Sequence, residues 1–406
     1  MAPPGPPAPP CVLDFAWLAK EGELLGGLPG TPRYPAIAGG AGLVGSNLLL
    51  LLANSPLCEK IRVVDMLPPA PAVLKGIEDK VEFVQGRFGP GERERLTKAV
   101  FGCDCIFMVF TPNVHRAPEQ QFYLTNVNGV EELTRAAIDA GVKRIVYTSS
   151  IAMSNMMVES FHQAESDPLP PLETYQTPYD ISKRKGEELL FQIVSASPSV
   201  KACALRFAGV LLGPYDFFFA YVWPIIPGLM ILPLGKPVDF MDGRDVVRAL
   251  MMASQALEVR PQEVAGEAFW CTGVPHRPGE LGRVAAKCLR YPFGSIPDFV
   301  TTVVVAVLRV HHSFKKMLGL PLPGVRPDQF VSAAWYEKTY NQEKAKKAFG
   351  FEVKVPLEEA VSRVVDLWLL EKGYGRGPGV LLEVLAKSAA LAAGVGFLYK
   401  TVRARK

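Results

Sequence analysis

The residues Gly39-Gly40-Ala41-Gly42-Leu43-Val44-Gly45 hold glycines at GxxGxxG spacing, between the short apolar run Ala36-Ile37-Ala38 and the helix-length apolar segment Val44–Ala53. A strand that turns through such a loop into a helix is the opening unit of a dinucleotide-binding sheet. Gly39 and Gly42 permit the tight turn and let the backbone approach a pyrophosphate, while Gly45 lets the helix pack closely on the strand. The orphan N–H groups of Gly42, Leu43, Val44 and Gly45 at the helix start then face the phosphates.

The second apolar run, Ile61–Asp65, ends in a carboxylate where such a fold holds the adenosine ribose hydroxyls. Asp65 repels a 2′-phosphate and no Arg or Lys follows immediately, so the expected cofactor is NAD rather than NADP. Strand-like and helix-length segments keep alternating through Cys105–Phe110, Val127–Ala140 and Arg144–Ser149. This alternation predicts an α/β chain, a Rossmann doubly wound parallel sheet. Beyond Leu212 the run Phe217–Leu234 is crowded with aromatic and aliphatic residues, and Pro224, Pro227 and Pro233 forbid one long helix. The expected division is a flexible Pro-rich arm over 1–32, with one short helix at Phe15–Leu25, and an NAD-binding domain over 33–212. A smaller substrate-binding region over 213–372 is partly interleaved with that domain, and an apolar and basic tail over 373–406 holds a C-terminal helix.

A net charge of +4 over 406 residues, with Lys and Arg dispersed, gives no nucleic-acid footprint. The seven cysteines form no CxxC, which suits a reducing compartment, and the histidines show no metal-ligand spacing. His311-His312 is expected on a helix surface. The Pro-rich start lacks the basic residues of a secretory signal.

Two YxxxK matches occur, Tyr179 with Lys183 and Tyr340 with Lys344, so position must decide between them. Arg144–Ser150 reads as a buried strand ending in hydroxyls at the ligand-binding edge of the sheet, and Tyr179 opens a helix soon after it. Three intervening residues put Tyr179 and Lys183 one turn apart on one face. Tyr340 lies in a charged segment and is expected on a solvated helix face. Alcohol oxidation needs a base for the hydroxyl proton while a hydride leaves the carbon. A lysine ammonium and a cationic nicotinamide are expected to lower the tyrosine pKa by about 2 from its reference value. Lys183 also reaches the cofactor ribose, and Ser150 holds the substrate oxygen for Tyr179.

These residues resemble the extended short-chain dehydrogenase/reductase family, within it the 3β-hydroxysteroid dehydrogenase/isomerase and sterol-4-carboxylate 3-dehydrogenase branch, from about Ala36 to about Leu370. Asn126-Val127-Asn128-Gly129 is similar to the family's NVxG motif, which gives Asn126 the role of bracing the active site. Gly141–Ser150 is similar to the strand that leads to the catalytic serine, and counting back from Tyr179 favours Ser150 over Ser149. Ala204-Leu205-Arg206 to Gly213-Pro214 resembles LRPxxIYGP, and Phe240–Val246 the VxDV segment. Met108-Val109-Phe110-Thr111, Gly86-Arg87 and Phe207 depart from the pattern, the first two around the adenosine.

The resemblance implies NAD-dependent oxidation of the 3β-hydroxyl of a steroid or sterol, including a 4-carboxysterol that then loses carbon dioxide. Ile151-Ala152 stands where dehydratases carry Asp-Glu, and Ala152 where the steroidogenic branch often has a glutamate for isomerisation. Phe217–Leu234 offers an apolar pocket to a lipophilic substrate rather than basic groups to a nucleotide sugar. The alternatives are an NAD(P)H-dependent reductase of another lipophilic carbonyl compound, a nucleotide-sugar epimerase, and a non-catalytic NAD-sensing protein. The fold allows a homodimer.

Gly379–Tyr399 has the ~20 residues of a bilayer span but contains Glu383 and Lys387, and a basic ending with Lys400, Arg403, Arg405 and Lys406 follows. Phe299–Val310 is a second apolar helix, too short to span. Peripheral or single-anchor attachment to the cytosolic face of the endoplasmic reticulum membrane is expected, the alternative being a cytoplasmic protein with its C-terminal helix packed on the domain.

Overall fold

A computed structural model describes residues 14–114, 117–211, 213, 230–296, 298–320, 335–372 and 376–377. Its main sheet contains β1 (Pro35–Ala38), β2 (Ile61–Asp65), β3 (Val81–Gln85), β4 (Cys105–Met108), β5 (Arg144–Ser150), β6 (Lys201–Phe207) and β7 (Ala268–Cys271). All pairings are parallel, in the order β7-β6-β5-β4-β1-β2-β3. The order reverses between β1 and β4, so the ligand crevice opens there, beyond the carboxyl ends of the strands.

Strand periodicity divides the side chains between two cores. Ile37, Cys105, Phe107, Val146, Cys203 and Leu205 enter one, while Ala36, Ala38, Ile106, Met108, Ile145 and Tyr147 enter the other. Four helices frame the site: α1 (Phe15–Gly26), α2 (Leu43–Ala53), α3 (Pro178–Ser195) and α4 (Gly243–Val259). The first core takes α1, α2 and α4, and the opposite core takes α3 with the helices Arg93–Val100 and Val130–Asp139. Both faces are covered, which is why these strands read as almost wholly apolar runs.

The segment expected to be a flexible arm is packed from Asp14 onward. Asp14 caps α1 by accepting the Trp17 N–H at 3.0 Å, and Leu18 is fully buried. The helix lies so close to α2 that a Cβ on Gly22 would stand 2.4 Å from the Leu51 carbonyl oxygen. The Glu21 carboxylate receives the buried guanidinium of Arg248 from α4 at 2.8 Å. Apolar burial and one desolvated ion pair therefore bind this segment to the domain.

A second sheet joins Val274–His276, Val238–Asp242, Lys338–Tyr340 and Ser160–Gln163, with Gly209–Leu211 beside Val238–Asp242. It returns chain from beyond residue 330 to the loop that follows β5. Leu281, Leu289, Val361 and Val365 give this half a core of its own. The C-terminal tail from residue 378, its expected helix included, and residues 217–229 of the apolar run lie outside the described residues.

Leu18→Ala is expected to destabilise the protein by about 2–5 kcal/mol, measured by denaturant unfolding. A segment loose from the fold would leave the unfolding midpoint unchanged.

Candidate active site

The chain leaves β1 through Gly39, at φ 89°. A Cβ there would also lie 2.8 Å from the Phe110 backbone. At Gly45 a Cβ would come within 2.2 Å of the Gly39 carbonyl oxygen, so only glycine lets α2 start this close to the strand. Gly42 differs: it is exposed, and a Cβ would meet only the Gly39 oxygen at 3.3 Å. Its outer side is open, and no side chain caps the helix N–H groups behind it. A diphosphate fits such a cradle, with Gly42, Leu43, Val44 and Gly45 at its rim.

Asp65 ends β2 against this loop. Its carboxylate accepts the Ala41 N–H at 3.0 Å and the Met66 N–H at 2.7 Å. Burial raises its pKa and these backbone donors oppose the rise. The side chain thus fixes the glycine turn itself, a task the sequence did not reveal, and two oxygens leave capacity for ribose hydroxyls. On the other side of the loop, where Phe110 packs on Gly39, the rings of Phe88 and Phe110 stack with centroids 4.0 Å apart.

The second half of the site forms where β5 ends. Ser150 closes the strand and starts a 3-10 turn, its Oγ accepting the Ala152 N–H at 3.1 Å. Thr177 caps α3 by accepting the Asp180 N–H at 3.0 Å, and Pro178 occupies the first turn, so Tyr179 stands at the helix start. The Tyr179 phenol stands close enough to Ser150 for that hydroxyl to favour its ionised form, and Phe122 meets its ring edge-on with centroids 5.9 Å apart. One turn on, Lys183 donates to the Thr148 carbonyl at 2.8 Å and lies 5.0 Å from the Tyr147 ring centre. The structure therefore brings Ser150, Tyr179 and Lys183 together at the end of β5. Asn126 sits in a π-helical stretch, Leu124–Gly129, and donates to Ser182 Oγ at 3.0 Å. Ser182 in turn donates to the Tyr179 carbonyl at 2.8 Å, so Asn126 braces the helix rather than the phenol.

Burial dominates the electrostatics. It pushes the Tyr179 phenol up to about 12, against the opposite influence of Ser150, and the Lys183 ammonium down to about 8. The expected lowering of Tyr179 by its lysine neighbour is thus not supplied by the protein: burial is the largest influence on the phenol and acts the other way. Thr148 Oγ1, Ser149 Oγ and Asn126 Oδ1 are buried polar atoms without a hydrogen-bond partner.

Two further groups were not legible in the sequence. Glu187, one turn beyond Lys183, forms a buried ion pair with Arg206 at 2.5 Å, and that guanidinium lies 4.7 Å from the Trp270 ring centre. This pair locks α3 to β6. Lys338 is buried beneath the turn after Ser150 and donates to the Asn155 carbonyl at 2.7 Å and to Ser160 Oγ at 3.1 Å. In the sequence it is one more cation of a charged stretch. The second YxxxK is corrected likewise: Tyr340 is a buried strand residue hydrogen-bonded to Ser154 at 2.6 Å, while Lys344 pairs with Glu267 at 2.6 Å. One stands in a strand and the other in a helix, so they share no helical face.

The family described as "Epimerase: NAD dependent epimerase/dehydratase family" matches residues 36–265, from β1 to the end of the segment after α4. The chain belongs to this family. It is an oxidoreductase of the NAD-dependent epimerase/dehydratase type, and NAD is the cofactor that its glycine turn and Asp65 fit. It is similar to 3beta-hydroxysteroid-dehydrogenase/decarboxylase isoform 2 of Arabidopsis thaliana, 23% identical over 363 residues, covering 83% of this chain and 62% of that protein. It is also similar to 3 beta-hydroxysteroid dehydrogenase type 7 of Homo sapiens, 24% identical over 82% of this chain and 94% of that one. The same fold is seen in dTDP-glucose 4,6-dehydratase from Streptomyces venezuelae, solved with NAD bound: TM-score 0.61, 18% identity, 84% of this chain and 98% of that chain.

Replacing Asp65 by Ala removes the acceptor of two loop N–H groups, each such bond being worth about 1 kcal/mol. NAD binding is expected to weaken at least about tenfold in calorimetric titration; an unchanged Kd would separate Asp65 from the cofactor site.

Proposed function

We propose that the protein oxidises the 3β-hydroxyl of a steroid or sterol to the 3-ketone. The Tyr179 phenol beside Ser150, with Lys183 one turn away, carries this reading. NAD, when bound, supplies the hydride acceptor. Ser150 positions the substrate hydroxyl, and Tyr179, once it has lost its own proton to become the phenolate, takes the hydroxyl proton as the carbon–hydrogen bond breaks, leaving a ketone. Lys183 has two ammonium protons beyond the one held by Thr148, enough to orient the ribose hydroxyls.

The class of substrate rests on what surrounds this pair. Ala152, fully buried in the turn after Ser150, offers no carboxylate to move a double bond or to eliminate water. A 4-carboxysterol needs neither, because oxidation at C3 creates a β-keto acid that loses carbon dioxide unaided. Two relatives named as hydroxysteroid dehydrogenases, one of them also a decarboxylase, agree with that choice.

The test is to incubate the full chain and NAD with a 4-carboxysterol, pregnenolone and a UDP-sugar, following NADH and products. The sterol is expected to give NADH and a decarboxylated ketone, and pregnenolone an unconjugated 3-ketone. Tyr179→Phe is expected to lower kcat by roughly 10²–10⁴. Turnover of the UDP-sugar alone, or a fully active variant, would falsify the reading.

The pH dependence follows from the same burial. The Tyr179 proton, held at about 12, becomes easier to remove as pH rises, so kcat for oxidation is expected to climb from pH ~6 to ~8. The climb ends as Lys183, near 8, loses its charge. A flat profile over this range would remove Tyr179 as the base.

A further inference from the structure

Lys183 is a buried cation that forms no ion pair among the described residues. Glu187, one turn further along α3, gives its carboxylate to Arg206 of β6, which largely cancels its charge. Tyr179, on the same face, keeps its proton up to about 12. Neither the π-helical stretch Leu124–Gly129 nor the turn Ile151–Ser154 contains a charged residue. On the neighbouring helix Val130–Asp139, Glu131, Glu132 and Asp139 bond to Arg135, the Gly91 N–H and Arg93 instead. An ammonium taken out of water without partners is strongly disfavoured. Two groups meet this one: the Thr148 carbonyl at 2.8 Å, and the ring of Tyr147, over which the Lys183 Nζ lies 5.0 Å from the centre.

Packing presents the Tyr147 ring rather than its hydroxyl. The side chain is buried in β5, and its oxygen has no hydrogen-bond partner. Gly186, three residues after Lys183 and on the same face of α3, closes the helix over it. A Cβ on Gly186 would stand 2.1 Å from the Asn126 carbonyl oxygen and 3.3 Å from the Tyr147 hydroxyl oxygen. Any larger residue there would lift the helix, and the lysine with it, away from the ring. A ring also serves this lysine differently from a carboxylate. A carboxylate would accept the ammonium protons and hold them in a fixed pair, whereas a π face attracts the charge through its quadrupole and takes no directional bond. The protons that Thr148 does not hold then stay available to a ribose diol.

We propose that Tyr147 is a positioning residue, whose ring keeps the Lys183 ammonium charged and aimed at the cofactor ribose. This rests on the reading of Lys183 as the residue that holds the ribose, and not on the sterol. The test is fluorescence titration of the full chain with NADH between pH ~6 and ~10, on either side of the Lys183 transition. The reduced cofactor is the probe because its nicotinamide carries no charge to repel the ammonium, and no substrate is needed. Wild type is expected to lose affinity as pH passes about 8, where Lys183 gives up its proton. Lys183→Met is expected to bind weakly with no such step. Without the ring the ammonium gives up its proton more easily, so Tyr147→Leu is expected to move the step down by about 1 pH unit. Tyr147→Phe keeps the ring and is expected to leave the step in place. Tyr147→Met, which fills the space without a π face, is the second variant should leucine disturb the core; a single cooperative thermal transition above the assay temperature verifies folding. A role in packing alone would lower the stability of the leucine and methionine variants and leave the step where wild type has it. That result, or a step displaced in Tyr147→Phe as far as in Tyr147→Leu, overturns the proposal while the reading of Lys183 stands. NADH binding by Lys183→Met that matches wild type overturns both.

Discussion

The approach of α2 to β1 governs the rest of the molecule. Gly45 lies where any Cβ would strike the Gly39 carbonyl, and that contact brings the helix N-terminus to the edge of the sheet. Once it is there, uncapped N–H groups face the crevice at the β1/β4 reversal, and Asp65 on the neighbouring strand can tie down the loop. The residues that let helix and strand meet thus also leave a cradle that a diphosphate fits.

The half of the candidate site that holds Ser150, Tyr179 and Lys183 is built by the opposite means, through buried polar contacts. Ser150 is fixed by the strand that it ends and Tyr179 by a capped helix. The alignment of strand and helix depends on Asn126, Glu187 and Lys338, none of which touches the phenol. Removing water around these groups raises the proton affinity of Tyr179 and lowers that of Lys183, so each is displaced toward its neutral form. Burial that holds the pair in place also sets the chemistry it can perform at neutral pH.

The glycine spacing, the apolar strands and the order of Ser150, Tyr179 and Lys183 were legible in the sequence because local rules fix them: a turn needs glycine, a doubly covered strand needs apolar side chains, and a helix sets which residues share a face. The sequence alone therefore determined the parallel Rossmann sheet and the glycine turn at its first strand, and it put Tyr179 and Lys183 on one helical face. What it misread depends on distant chain. Only the tertiary structure showed that α1 is packed rather than loose, because its partners Leu51 and Arg248 lie far along the chain. Only the tertiary structure buried Tyr340 and Lys338, because the second sheet pairs their strand with Ser160–Gln163. The apolar residues of the helix Asp298–Met317 could belong to a core or to a surface, since periodicity counts faces without saying what covers them; Val305 is buried, while Phe299, Val307 and Val310 are exposed.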